Sequence, residues 1–154
     1  MTDLFWDTSA LVKHYHLELG TSKVDNLLQT PGSRHAVSRL GVTETFSVFA
    51  GKVRAGVITL DEFQQLCRRF LADTRGKVFS VARLLVAHHK EAERLLRLYG
   101  PQPGQGLRTL DSLQLAVALD LRKRGAIDTL VCADTRLLTA AQAEGFTIIN
   151  PEET

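Results

Sequence analysis

The sequence predicts an α/β fold, a three-layer α/β/α domain around a central parallel sheet of about five strands, with residues 1–154 forming one domain. Three observations carry that prediction. Short apolar runs alternate with longer helical patterns along the chain, the signature of strand–helix–strand units with both sheet faces covered. The segment from Leu107 to Asn150 reads helix, strand, helix, strand without interruption. Acids stand at the ends of two apolar runs, Asp7 after Leu4–Trp6 and Asp134 after Leu130–Ala133. In open α/β sheets that edge is where ligands bind.

Composition narrows the class. At 154 residues the chain is long enough to bury a substantial core as one domain. Its 44% hydrophobic and 23% charged residues are those of a soluble globular protein. No apolar run approaches the ~18 residues of a membrane span. The start, MTDLFWD, lacks the charged and apolar regions of a signal peptide, so the cytoplasm is expected. Cys67 and Cys132 lie in apolar patterns and are expected to be reduced core thiols. A net charge of +2 leaves nucleic-acid binding to local basic patches.

The elements follow in order. Leu4–Trp6 forms the first strand, expected at the centre of the sheet because Asp7 flanks it. Thr8 or Ser9 can cap the next helix. Gly20 breaks the pattern, Thr21 or Ser22 opens a second helix, and Pro31-Gly32 closes it. Residues 35–38 read as the second strand and 39–55 as a longer helix. Thr59 starts a helix whose stripe is Phe63, Leu66, Cys67, Phe70 and Leu71. Lys77–Val81 reads as the third strand, and a helical region from about Ala82 to Tyr99 follows. That region and the helix at 59–72 are expected to pair at one side. The loop PQPGQG at 101–106 leads to an apolar helix opened by Asp111 and ended by Gly125. Leu130–Ala133 and Phe146–Ile149 are the last two strands.

Four acids stand out. Asp7 and Asp134 end strands, Asp111 begins a helix, and Glu44 lies among Val42, Phe46, Val48 and Phe49, on or beside a buried face. Each has an ordinary role open to it: a helix cap for Asp7 and Asp134, a first-turn acid for Asp111, an ion pair with Arg39 or Arg54 for Glu44. Jointly the ordinary roles are weaker, because the fold brings all four to one edge of the sheet. Carboxylates so close repel, and one would keep its proton unless a cation intervened. All-oxygen ligands favour Mg²⁺ or Mn²⁺ over zinc. Metal-assisted phosphodiester hydrolysis is the chemistry that follows.

Here the chain resembles a known family. DTSALVKHY at 7–15 with ELG at 18–20, SRLGVTETFSVFAGKVRAGVI at 38–58, LDSLQLAVAL at 110–119 and GAIDTLVCADTRL at 125–137 resemble the four successive blocks of PIN-domain ribonucleases of the VapC toxin type. The match runs over nearly the whole chain and is weakest between about Leu60 and Gly106. The resemblance implies a Mg²⁺ or Mn²⁺ site and RNA cleavage, with Asp7, Glu44, Asp111 and Asp134 as catalytic, metal-ligating acids. It places Ser9 as a hydroxyl supporting the first acid. Many members carry Ser or Thr where this chain has Cys132. Some add an acid after the last one, where Thr135-Arg136 offers none, so a second metal would be weakly held. A cognate antitoxin and a toxin homodimer are also implied.

Lys13, Arg108 and Arg136 lie near the acids in sequence and are candidates for binding phosphate, or else ordinary surface charges. The five histidines are assigned packing or solvated roles, with His14 open to substrate contact. Phe49, Phe63 and Phe70 are candidate anchors for an antitoxin segment lying beside the helices at 39–55 and 59–72. Two other functions compete. A phosphoaspartate receiver-like regulator would want paired acids near the N-terminus and a later strand-terminal lysine, which are not evident. A non-catalytic PIN-like scaffold binding RNA or protein would not need all four acids.

Overall fold

The computed structural model describes residues 2–154. Five strands form one sheet: β1 Asp3–Trp6, β2 Arg34–Ser38, β3 Ser80–Ala82, β4 Thr129–Val131 and β5 Thr147–Ile149. Every pairing is parallel, in the order β3-β2-β1-β4-β5, which puts β1 at the centre. The helices are α1 Thr8–Leu11 (continued by a 3-10 turn, Val12–His14), α2 Thr21–Leu28, α3 Arg39–Arg54, α4 Leu60–Arg75, α5 Val86–Tyr99, α6 Thr109–Lys123 and α7 Thr135–Ala143.

Strand alternation divides the core into two layers. Leu4 and Trp6 of β1 face one way, with Val37 and Val131, against residues of α1, α2, α3 and α4. Phe5 faces the other way, with Ala36 and Leu130, against residues of α5, α6 and α7. Both faces of the sheet are therefore covered, which is why the central strand runs Leu4-Phe5-Trp6 with no polar residue between them. Trp6, Phe5 and Leu130 are fully buried, and each such side chain contributes roughly 1.5–3 kcal/mol relative to exposure.

Several expectations are corrected. The cap of α1 is Asp7, whose side chain accepts the Ser9 N–H, and not Thr8 or Ser9. Strand β3 is shorter and later than Lys77–Val81. The chain first turns at Lys77, which takes a left-handed φ of 61°, and then seats Phe79 in the core at 1% exposed. Helix α5 begins at Val86 rather than Ala82, because His88 Nδ1 accepts the Leu85 N–H and fixes the start there. Helix α4 packs on α3, while α5 packs on α6. The two lie in opposite layers instead of pairing, since the stripe Leu66 and Phe70 joins one core and Ala92 and Leu95 the other. Among the described residues no helix is long and apolar enough to cross a membrane.

Candidate active site

Parallel strands send all their carboxyl ends to one edge, and the candidate acids follow from that. Asp7 comes directly after β1, and its N–H donates to the Val131 carbonyl at 3.0 Å, clamping the ends of β1 and β4 together. Asp134 lies just past β4 and caps α7, its Oδ1 accepting the Arg136 N–H at 2.9 Å. Asp111 is in the first turn of α6, and Glu44 is on α3 after β2. All four line one cleft of about 510 Å³, together with Thr8, Ser9, Val48, Arg108, Thr109 and Leu110.

Asp7 is the most enclosed, 4% exposed. Its Oδ2 accepts the Ser9 N–H at 3.0 Å and the Ser9 hydroxyl at 2.5 Å. Burial pushes its pKa up; the Ser9 hydrogen bonds and the Cys132 thiol pull it down, and the nearby Asp134 charge adds to the rise. Ser9 Oγ in turn accepts the Ala133 N–H at 3.0 Å, so one hydroxyl ties the exit of β4 to Asp7. Cys132 is buried and reaches the same carboxylate, Sγ to Oδ2 3.6 Å, while its sulfur accepts the Asp134 N–H at 3.2 Å. These sulfur contacts are weaker than those a hydroxyl makes. Burial keeps Cys132 a neutral thiol, well above its ordinary pKa. Ser9→Ala removes the hydroxyl that joins the Asp7 carboxylate to the Ala133 N–H. Its stability loss should be about 2–4 kcal/mol, because two hydrogen bonds go, one of them to a carboxylate, and the Ala133 N–H loses its acceptor. Melting curves check this; an unchanged melting temperature would show that the hydroxyl does not tie Asp7 to the exit of β4.

The other acids feel one another. Burial raises the pKa of Glu44, the Asp7 and Asp111 charges raise it further, and the Thr8 hydroxyl and Arg108 oppose the shift. Burial also raises Asp111, reinforced by Asp134 and Asp7 and opposed by Arg108. Among the described residues Glu44 makes no ion pair with Arg39 or Arg54; the Arg108 charge is the arginine that opposes its shift. Arg108 Nε lies 3.4 Å from Asp111 Oδ2, and its Nη2 lies 3.2 Å from Asp134 Oδ2.

Donor chemistry decides whether a metal suits this cleft. Among the described residues, no three Asp, Glu, His or Cys side chains stand as a ready-made metal cage. The acids that line the cleft nonetheless offer only oxygen, and three of them have pKa values raised by burial and mutual repulsion. An arginine already sits between two of them as counter-charge. A hard divalent cation fits such a set by ligand type and by charge.

No protein-family model matches the chain, and no curated protein matches it. Solved structures do. VapC20 of Mycobacterium tuberculosis, described as a sarcin-ricin loop cleaving toxin, superposes with a TM-score of 0.68 at 17% identity, over 96% of this chain and 99% of that one. The FitAcB structure from Neisseria gonorrhoeae gives 0.65 at 16% identity, over 98% of this chain and 99% of that one. VapBC2 from Rickettsia felis, bound to a DNA fragment from its promoter, gives 0.63 at 15% identity, over 96% and 98%. The chain has the PIN-like fold of the VapC-type toxins.

Within this PIN-like fold the remaining candidates separate. Lys13 lies outside the cleft: it is 4% exposed and paired with Glu18 at 3.0 Å and Glu152 at 2.6 Å, which ties the C-terminal residues to the turn after α1. Arg136 contributes its backbone N–H to Asp134, and its side chain is not among the lining groups. His14 pairs with Asp25 at 2.6 Å, and His88 with Asp120 at 2.9 Å. Phe49 and Phe70 are fully buried, so neither is a surface anchor; Phe63 is half-buried. The sequence offered Thr8 only as a helix cap and did not single out Gln114, yet Thr8 lines the cleft and Gln114 lies behind it. Gln114 is 1% exposed, accepts the Ser38 hydroxyl and donates to Thr8 Oγ1 at 3.4 Å, joining α6, the start of α3 and the turn after β1 behind the acids. Its signal was available: a lone amide inside an otherwise apolar helical run, Leu113–Leu119.

Proposed function

We propose that the chain is a metal-dependent endoribonuclease, hydrolysing RNA phosphodiester bonds as the toxin of a type II toxin–antitoxin pair. The observation that carries this reading is the convergence of Asp7, Glu44, Asp111 and Asp134, from four separate segments, on one cleft at the carboxyl edge of the sheet. Asp7, Glu44, Asp111 and Asp134 would hold Mg²⁺ or Mn²⁺. Bound there, the cation would supply Lewis-acid polarisation of the phosphoryl oxygens and acidification of the attacking water. The chain's own residues do the positioning. Ser9 fixes the Asp7 carboxylate, Thr8 lines the cleft with Glu44, and Arg108 is the cation available to a phosphate among the described residues. A cytoplasmic homodimer inhibited by a cognate antitoxin belongs to the same proposal. The shared fold with the FitAcB and VapBC2 proteins supports it.

A phosphoaspartate regulator is the poorer reading. Asp7 is buried beneath Ser9, no lysine lines the cleft among the described residues, and Lys13 is spent on two glutamates. RNA incubated with the purified protein should be cut in Mg²⁺ or Mn²⁺ and left intact in excess EDTA. Full cleavage in EDTA would remove the metal from the proposal, and labelling by an acyl-phosphate donor without RNA cleavage would replace it with the regulator.

A further inference from the structure

Arg108 is the one cationic side chain lining the acid cleft among the described residues. It precedes α6, and its side chain is 61% exposed. Its hydrogen bonds run only to Asp111 and Asp134, whose side chains are 14% and 24% exposed. No backbone carbonyl or further side chain holds the guanidinium among the described residues. A cation attached to two covered acids and otherwise free in solvent is weakly fixed, because exposed ion pairs contribute little.

Charge completes the argument. Four carboxylates face an RNA substrate that is itself a polyanion, and the single Arg108 charge is matched by acids as long as it stays between them. A divalent ion held by those oxygens would compete with one guanidinium for them and would leave Arg108 beside the cleft without an anion. The planar fork of arginine suits phosphate oxygens as well as carboxylates. We infer that Arg108 is an exchange residue: it neutralises Asp111 and Asp134 in the metal-free protein, and metal binding releases it to hold the RNA phosphate. The second half of this inference rests on the nuclease reading; the first does not.

The test is Mn²⁺ titration by calorimetry of the metal-free wild-type protein, Arg108→Gln and Arg108→Lys, beside steady-state RNA cleavage. Arg108→Gln should bind Mn²⁺ about threefold to tenfold more tightly, the scale of losing two exposed ion pairs as competitors. Its KM for RNA should rise about tenfold, one charge-assisted contact, with a smaller change in kcat. Arg108→Lys should fall between. The two ligands thus move in opposite directions, which a merely structural arginine would not produce. Unchanged or weaker Mn²⁺ binding by Arg108→Gln overturns the exchange, even if KM rises. Tighter Mn²⁺ binding in a protein whose wild type cuts no RNA overturns the nuclease reading and supports the exchange at the acids.

Discussion

Asp7→Asn is expected to abolish RNA cleavage while raising the melting temperature of the metal-free protein. The activity loss should exceed a hundredfold, because even supports behind metal ligands cost roughly 10–100-fold. The fold should survive. An Asn oxygen can take both Ser9 hydrogen bonds that now reach Oδ2, and the N–H clamp from residue 7 to Val131 is backbone. Stability should rise by about 1 kcal/mol, or ~2–4 °C, since a buried carboxylate facing the Asp134 charge is neutralised. The pH dependence gives a second check. Burial raises the folded-state pKa of Asp7, Glu44 and Asp111, so the folded protein keeps protons that the unfolded chain has already released. Their stabilisation is complete below the ordinary carboxylate range and is lost as pH rises through the raised values. Asp7→Asn should flatten that decline, and added Mg²⁺ should stabilise the wild type more than the variant. Melting curves from acid to neutral pH, with and without Mg²⁺, read all of this. An unfolded Asp7→Asn protein would make Asp7 a structural residue instead.

What could be read from the residues alone has a physical boundary. Strand and helix alternation is local, so the parallel sheet and the central place of β1 were legible, as was the edge where Asp7 and Asp134 stand. Acids at strand ends are recognisable because strand direction alone decides which edge they occupy. Partnerships between distant side chains are not local. Lys13 sits five residues from Glu18 in sequence, yet its second partner, Glu152, comes from the far end of the chain. The same holds for the layer each helix joins. The stripes of α4 and α5 show that both bury a face, but not that the faces lie across the sheet from each other. The bounds of β3 depended on the turn at Lys77 and on a histidine cap three residues into the next segment, neither of which periodicity reports.

Phe70→Ala should cost about 3–5 kcal/mol, as large aromatic truncations in cores do. Phe70 is fully buried. Its ring meets Tyr15 at 5.4 Å, Phe46 at 5.5 Å and Phe49 at 6.4 Å between centroids, each edge-on, the favoured arrangement for aromatic quadrupoles. The cluster joins α4 to α3 and to the turn after α1. Tyr15 reinforces that joint by donating its hydroxyl to Asp73 Oδ2 at 2.6 Å, with Arg69 over its ring at 5.5 Å. Deleting the ring leaves a void shared by three aromatics that are themselves fixed, so the site can collapse only in part. The melting temperature should fall by roughly 10 °C or more. Leu60→Ala, at the exposed start of the same helix with 61% of the residue in solvent, should stay within about 0.5 kcal/mol of wild type. The comparison also tests the burial of Phe70 against a role as a partner's anchor. An anchor would leave the melting temperature nearly unchanged and weaken only the complex with an antitoxin, and that outcome would overturn the packing described for α4.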